Sequence, residues 1–176
     1  MKAFDAYKIA DRIKAELAPM CENIEVAGSL RRGRENVNDI DLVILPKPGQ
    51  VAAIKARCEK RCQVVVGGDQ NYIVRLPTGL QVDIFFARHA TQDMFQKVPS
   101  NFGTLLLCRT GSKEHNIYLV EHAKTRGFTW HPYAGVKDAE GFVIASETEE
   151  EIFDMLGLSF VPPANRERQQ AAGGVL

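Results

Sequence analysis

The sequence predicts an α+β fold, in which a mixed sheet with helices on one face precedes a small α/β C-terminal lobe. Three observations predict this fold. Apolar residues recur at helical spacing over residues 3–18. Strand-length apolar runs separated by glycine and proline turns follow, and helical spacing returns after residue 102. We expect one domain over residues 1–105 and a second over 106–176, with a flexible polar tail from Asn165.

The elements of the first domain follow one another in a simple order. The opening helix has its apolar positions at Phe4, Tyr7, Ile9, Ala10, Ile13 and Leu17. Strands are predicted at 24–28, 39–45, 63–66, 72–76 and 80–87, and a helix at 51–62. Because the short turns GGDQN and PTG separate the last three strands, these strands are expected to form an antiparallel meander.

The second domain begins with two helical stretches, of which the second is closed by Gly127. A strand, FVIA, and a further helix complete the lobe. Thr148 and Glu151 have the spacing of a capping box, which predicts the start of that helix.

The composition is that of an ordinary soluble globular protein. The 176 residues include 22 Lys and Arg, 22 Asp and Glu, and 45% hydrophobic residues. The apolar runs are too short for a membrane span, and the N-terminus is too charged for a signal peptide. We expect a cytoplasmic protein of a bacterial or viral host that is not secreted and binds no membrane. Since the net charge is zero, any nucleic-acid binding is expected from local basic patches.

Cys58 and Cys62 are four residues apart on a predicted helix. A zinc site needs four ligands, and neither a second cysteine pair nor a nearby histidine accompanies them. We therefore interpret them, with Cys21 and Cys108, as reduced structural thiols.

Three aspartates have the spacing of a metal site. Side chains alternate along a strand, so Asp39 and Asp41 share one face of the strand at 39–45, and Asp83 points away from the core on the strand at 80–87. Adjacent carboxylates repel unless a cation neutralises them. Oxygen ligands favour Mg²⁺ or Mn²⁺, and two ions about 4 Å apart suit phosphoryl transfer. The alternative is that Asp39 is a strand cap and Asp83 an isolated edge charge.

The stretch GSLRRGR contains a potential anion site. If the chain turns helical at Ser29, the backbone N–H groups at Gly28 and Ser29 point at whatever lies before them. The Ser29 hydroxyl and the Arg32 guanidinium could grip a phosphate, and Arg31 and Arg34 add positive charge. An exposed basic turn is an equally weighted alternative.

The GS-x-RRG run, the D-x-D pair and the later Asp83 resemble the nucleotidyltransferase signature of the polymerase beta superfamily. Over roughly residues 3–165 the chain resembles the family X DNA polymerases, close to small viral and bacterial members. The segments that carry the resemblance are GSLRRGRENVNDIDLVI, GLQVDIFFA, TGSKEHNIYLVEHAKTRGF and ETEEEIFDMLGLSFVPP. It implies a nucleotidyltransferase palm over 1–105 and a thumb-like or fingers-like nucleotide-selecting subdomain over 106–176.

The resemblance also implies roles for single residues. Asp39 and Asp41 would bridge both ions, and Asp83 would serve the ion that activates the primer 3′-OH. The implied nucleotide contacts are Gly28, Ser29, Arg32, Asn38, Gly111, Ser112 and Asn116. Further candidate contacts to DNA or phosphate are Arg31, Arg34, Arg109, Lys113 and His115, of which Lys113 and His115 also allow a surface role.

The function so implied is a DNA-directed DNA polymerase that transfers nucleotides from dNTPs to a primer 3′-OH and fills short gaps in DNA repair. Its cofactors would be two Mg²⁺ ions, which Mn²⁺ could replace. Its partners would be dNTP and gapped or primer-template DNA. We expect a monomer and leave assistance by other repair proteins open. The helix-hairpin-helix and lyase segments of larger members are expected to be absent, together with lyase activity.

Four residues depart from the family pattern. Cys108 and Arg109 stand where two aromatics are usual, and Val120 and Gln81 stand in place of arginines. Cys108, Arg109 and Val120 favour an alternative, a template-independent nucleotidyltransferase acting on an RNA, DNA or protein acceptor. A third alternative is a catalytically silent accessory lobe, against which the three retained carboxylates argue. With no net charge, the protein should hold DNA weakly and with marked salt sensitivity.

Overall fold

A computed structural model describes residues 1–92 and 97–167 of the chain. It divides into two compact units, Met1–Ala87 and Arg88–Leu176. The boundary expected at 105/106 falls inside the helix Phe102–Thr110, which belongs wholly to the second unit. A helix is one hydrogen-bonded element, so the division falls ahead of it.

The described residues form six α-helices. They are α1 (Ala3–Leu17), α2 (Gly28–Arg31), α3 (Val51–Glu59), α4 (Phe102–Thr110), α5 (Lys113–Thr125) and α6 (Glu149–Met155). Short 3-10 turns occupy Ala18–Met20 and Pro163–Asn165. None of the helices in the described ranges has the length and apolar character that crossing a membrane requires.

The first unit contains a five-stranded mixed sheet. Its strands are β1 (Cys21–Val26), β2 (Asp39–Pro46), β3 (Gln63–Gly67), β4 (Asn71–Arg75) and β5 (Gln81–Phe86). Their order across the sheet is β1-β2-β5-β4-β3; β2 and β5 are parallel and every other neighbouring pair is antiparallel. The predicted α+β class and the antiparallel meander β3-β4-β5 are confirmed.

Shorter strands belong to the second unit. They are β6 (Thr91–Gln92), β7 (Lys97–Val98), β8 (Thr129–His131), β9 (Gly135–Lys137) and β10 (Val143–Ala145). The strands β10, β9 and β8 form an antiparallel sheet in that order, and β6 pairs with β7. This agrees with the predicted small α/β lobe.

One face of the five-stranded sheet carries the core of the first unit. Ile40, Leu42 and Ile44 of β2 are fully buried, in one apolar cluster with residues of α1, α3, β4 and β5. Burying a side chain of this size contributes roughly 1.5–3 kcal/mol. The two longer helices of the unit therefore cover this face, and the alternate residues of β2 and β5 point to the other.

The buried face of α1 departs from the predicted one most clearly at Phe4. Phe4 is 68% exposed, with the Lys8 ammonium 4.1 Å from its ring centre. Ala10 and Leu17 are buried as predicted, and Ala6, which the predicted face did not include, is fully buried as well. Alanine lets a helix axis lie close to the sheet, and an aromatic ring at the same position would hold it away. The apolar spacing thus predicted the helix correctly but placed Phe4 on the wrong side of it.

The start of α6 was predicted correctly. The Thr148 hydroxyl accepts a hydrogen bond of 3.1 Å from the Glu151 N–H. The Glu151 carboxylate in turn accepts the N–H of Glu147 at 2.9 Å and that of Ser146 at 3.2 Å. The acidic side chain therefore reaches past the cap residue itself to the two residues before it.

The predicted flexible tail begins too early. Arg166 is 1% exposed, and its guanidinium lies 2.7 Å from the Glu149 carboxylate at the start of α6. It also donates to the Val161 carbonyl oxygen at 2.9 Å. Because a paired, buried charge fixes the backbone around it, the ordered chain extends through this residue. The remainder of the predicted tail, residues 168–176, lies outside the described residues.

Candidate active site

The register of the two parallel strands places the candidate carboxylates. Asp41 on β2 is the direct Cα partner of Asp83 on β5, and Asp39 is the partner of Gln81. All four residues alternate with core residues on their strands, so they lie on the face away from α1 and α3. The predicted common face is therefore present. The metal-ligand roles of the three aspartates remain predictions.

The turn after β1 packs directly on Asp41. The Ala27 N–H donates to the Asp41 carbonyl oxygen at 2.8 Å, and Gly28 follows with φ +62°. A Cβ atom at Gly28 would lie 1.8 Å from the Asp41 carboxylate. Only glycine combines this backbone angle with so close an approach. Gly28 is thus required to seat the Asp41 side chain, a reason that the sequence alone did not supply.

Gly28→Ala is expected to destabilise the protein by about 1–3 kcal/mol and to lower activity, because the new methyl group displaces the Asp41 carboxylate. Gly33→Ala is the matched control. Gly33 also has a positive φ, +75°, but its Cβ would meet nothing within 4 Å. Denaturant unfolding and a nucleotide-transfer assay would measure both variants. Equal losses in the two would show that backbone strain alone, and not the contact with Asp41, explains the glycine.

The predicted phosphate-binding residues lie on α2 and just after it. α2 is a single turn, in which the Arg31 N–H donates to the Ala27 carbonyl and the Arg32 N–H to the Gly28 carbonyl, each at 3.2 Å. Ser29, Arg31 and Arg32 are half-buried, whereas Arg34 and Asn38 are exposed. The turn begins beside Asp41. These residues therefore lie on the β1 side of the acidic face, which is the sheet surface that carries Asp39, Asp41 and Asp83. Their contact with a phosphate stays a prediction.

The aspartates fit a divalent cation in donor type and in backbone placement. Their side chains do not converge: in residues 1–92 and 97–167 no group of three or more His, Cys, Asp or Glu is arranged to hold a metal ion. The Gln81 amide donates to Asp83 Oδ1 at 2.8 Å. Like-charged carboxylates repel one another unless a cation neutralises them.

The thiols at the end of α3 do not offer a second metal site. Burial raises the pKa of Cys58 to about 12 and raises that of Cys62 as well. Among residues 1–92 and 97–167, neither thiol belongs to a group of three or more side chains that could hold a metal ion. Both thiols are free in the structure, in agreement with their interpretation as structural residues.

The Gly111–Ser112 turn lies in the second unit. Ser112 caps α5: its hydroxyl accepts from the His115 N–H at 3.3 Å and donates to the Arg166 carbonyl oxygen at 3.1 Å. Gly111 has φ +69°, and the bond between the two residues is cis. The side chain of Ser112 is thus committed to holding the turn. The nucleotide contact predicted at this position is therefore expected from backbone atoms of the turn.

The remaining candidates of the second unit differ in accessibility. The Asn116 amide donates to the Cys108 carbonyl oxygen at 2.7 Å, and the Arg109 guanidinium donates to the Tyr133 hydroxyl at 3.3 Å. Lys113 is exposed at the start of α5. Of these, Lys113 is the one that solvent reaches freely.

His115 was wrongly placed among the candidate DNA contacts. It is 1% exposed, and its ring stacks on Phe153 with 5.8 Å between ring centres. The Ser112 cap fixes the first turn of α5 so that His115 points into the lobe. Helical spacing alone did not distinguish this inward position from Lys113 two residues earlier.

Sequence reasoning missed the ion pair between Arg166 and Glu149. Besides pairing with Glu149, Arg166 accepts a hydrogen bond from the Ser112 hydroxyl at its backbone carbonyl oxygen. This bond links the end of the described chain to the Gly111–Ser112 turn. The available signal was weak: one arginine in a polar stretch and one glutamate in an acidic run. Neither pattern by itself predicts burial.

Comparison with known proteins points to one family. Residues 105–167 match the pattern of the DNA polymerase beta thumb. The chain is 32% identical over 169 residues to the DNA polymerase/3′-5′ exonuclease PolX of Bacillus subtilis strain 168, covering 94% of this chain. It is 28% identical over 165 residues to DNA polymerase lambda of Rattus norvegicus, covering 80% of this chain. The chain spans 28% of the length of each of these relatives.

Proposed function

Because this chain belongs to the family X DNA polymerases, we propose that it transfers nucleotides from dNTPs to the 3′-OH of a DNA primer. The observation that carries the proposal is the direct pairing of Asp41 on β2 with Asp83 on β5. The turn at Gly28 packs against the Asp41 carboxylate so closely that a Cβ atom at Gly28 would clash with it. Gap filling during DNA repair is the physiological role that we propose for it.

Asp39, Asp41 and Asp83 are the proposed ligands of two Mg²⁺ ions, for which Mn²⁺ could substitute. When bound, such ions supply charge neutralisation and a more acidic hydroxyl at the reacting centre. Carboxylate oxygens are the donors that these hard cations prefer. The cofactor proposal thus rests on donor type and strand register rather than on side-chain convergence.

The reaction is an in-line displacement. The 3′-hydroxyl oxygen forms a bond to the α-phosphorus, the α–β bridging P–O bond breaks, and pyrophosphate leaves with that electron pair. We propose that Asp83 accepts the hydroxyl proton. Ser29 and Arg32, beside Asp41, are proposed to hold the β- and γ-phosphates through charge-assisted hydrogen bonds. The backbone at Asn38 and the Gly111–Ser112 turn, with Asn116, are further proposed nucleotide contacts.

The protein's contribution is mainly positioning. The strands that carry the carboxylates are held by backbone hydrogen bonds on both sides, so the backbone positions of the aspartates are fixed before the reaction occurs. We propose that the protein acts as a cytoplasmic monomer on gapped or primer-template DNA. Since contacts between basic side chains and phosphates release counterions, that binding should weaken steeply as salt is raised.

A transfer assay with several acceptors tests the proposal. Purified protein with Mg²⁺ or Mn²⁺ is given labelled gapped DNA, single-stranded DNA or an RNA acceptor, each with dNTPs or NTPs. We expect extension that follows the template. Untemplated tailing would instead support the template-independent transferase to which Cys108, Arg109 and Val120 point. No transfer under any condition would contradict both and favour an accessory role.

A further inference from the structure

The acidic face of the five-stranded sheet has a basic residue on the side opposite α2. Strands β1 and β4 lie on opposite sides of the β2–β5 pair. The arginines of the α2 region follow β1, and Arg75 is the last residue of β4. The aspartates therefore lie between two sources of positive charge.

Strand register fixes the face of Arg75. Ile73 pairs with Asp83, and Arg75 pairs with Gln81. Directly paired residues point to the same face, so Arg75 lies on the face of the aspartates and diagonal to Asp83. Diagonal neighbours in an antiparallel pair are about 7–8 Å apart, within reach of a long side chain. Tyr72 and Val74, which alternate with Arg75, are buried in the core on the other face.

Arg75 is the one basic residue between Gln63 and Ala87, a range that contains three of the five strands. It is exposed, and within the described ranges the structure gives it no carboxylate partner. Its neighbour Gln81 directs its amide to Asp83. Within residues 63–87, Arg75 therefore supplies the positive charge on this side of the acidic face, and it is accessible to an incoming anion.

Nucleotidyl transfer brings two anions to the aspartates, the triphosphate and the strand that carries the 3′-OH. The triphosphate is proposed to lie at α2, beside Asp41. The acceptor strand approaches Asp83 and needs a cation on that side to offset repulsion by the carboxylates. A guanidinium suits this task because it can grip a phosphate through two hydrogen bonds.

We propose that Arg75 binds a backbone phosphate of the nucleic-acid strand that carries the reacting 3′-OH. This inference rests on the proposed function, since it concerns the acceptor of the same site. It assigns Arg75 a positioning role, because the guanidinium holds the strand and touches none of the reacting atoms.

Salt-dependent binding tests the contact without catalysis. Fluorescence anisotropy with labelled gapped DNA is measured between 50 and 200 mM salt for the wild type, Arg75→Ala and Arg75→Lys. Loss of one phosphate contact should lower the slope of log K against log salt by about 0.7–0.9. Arg75→Ala should show this loss, and Arg75→Lys should keep most of the slope because it keeps the charge. Lys60→Ala is the control, since Lys60 is exposed at the end of α3, on the other side of the sheet.

Steady-state kinetics provide the second readout. Arg75→Ala should raise KM for gapped DNA about tenfold, as expected for one lost charge-assisted contact, while kcat and KM for dNTP stay within about twofold. Equal slope changes in Arg75→Ala and Lys60→Ala would overturn the proposal, as would a rise confined to KM for dNTP. If the wild type binds DNA without transferring nucleotides, the proposed function fails, whereas the salt slopes still decide whether Arg75 meets a phosphate. A wild type that binds no DNA would overturn both.

Discussion

Asp41→Asn is expected to lower nucleotide transfer by about 10³-fold or more while leaving the protein folded. A carboxylate that shares charge with two divalent ions contributes several kcal/mol to the transition state, and roughly 4 kcal/mol corresponds to about 10³ in rate. Asparagine has the shape of aspartate, so it still fits beside Gly28. Removing one of several adjacent like charges should leave the free energy of unfolding unchanged or slightly higher.

Single-turnover extension of gapped DNA, together with denaturant unfolding, measures both parts of this prediction. Asp69→Asn is the matched control, because Asp69 is an exposed loop residue paired with Lys55 on the other side of the sheet from Asp41. It should retain full activity. Retention of activity by Asp41→Asn within tenfold of the wild type would rule out the proposed ligand role.

Glu149→Ala is expected to destabilise the second unit by about 3–5 kcal/mol, since it leaves a buried arginine without its counter-charge. The Arg166 side chain has no solvent-exposed surface, and Glu149 is 4% exposed. The guanidinium also lies close to two aromatic rings that contact each other, 5.8 Å from the centre of Phe153 and 5.7 Å from that of Phe160. Moving the guanidinium into water would therefore break its contacts with the residues around α6.

Urea unfolding followed by circular dichroism would measure this loss. The double variant Glu149→Leu/Arg166→Met should lose less stability than Glu149→Ala, because apolar replacement of a whole buried ion pair is often close to neutral. Lys2→Ala breaks an exposed ion pair with Glu35 and should leave the unfolding midpoint unchanged. A Glu149→Ala loss no larger than that of Lys2→Ala would show that the buried pair does not hold this unit together.

The alternation of D-I-D-L-V-I-L predicted both the strand and the face of its aspartates. It succeeded because one face of β2 is buried and the other is not, so the pattern and the burial agree. Asp83 followed the same rule on β5. The partnership of Asp41 with Asp83 required the structure, since the sequence does not say which strands are neighbours.

The errors have a different origin. Phe4, His115 and Arg166 each lie on the side opposite to the one that their residue type suggests. An exposed phenylalanine, an inward histidine and a buried arginine are decided by partners far away along the chain, such as Glu149 for Arg166. Residue preferences describe averages, and such long-range pairings override them.

The parallel pairing of β2 with β5 also bears on how this protein can diverge. The separation of Asp41 and Asp83 is set by strand register, and the chain between them supplies α3, the inner strand β4 and the edge strand β3. Insertions or deletions in the turns of that connection leave the register unchanged. The length of this segment is therefore free to drift among homologues, whereas a single-residue slip within either inner strand would move a carboxylate to the wrong face.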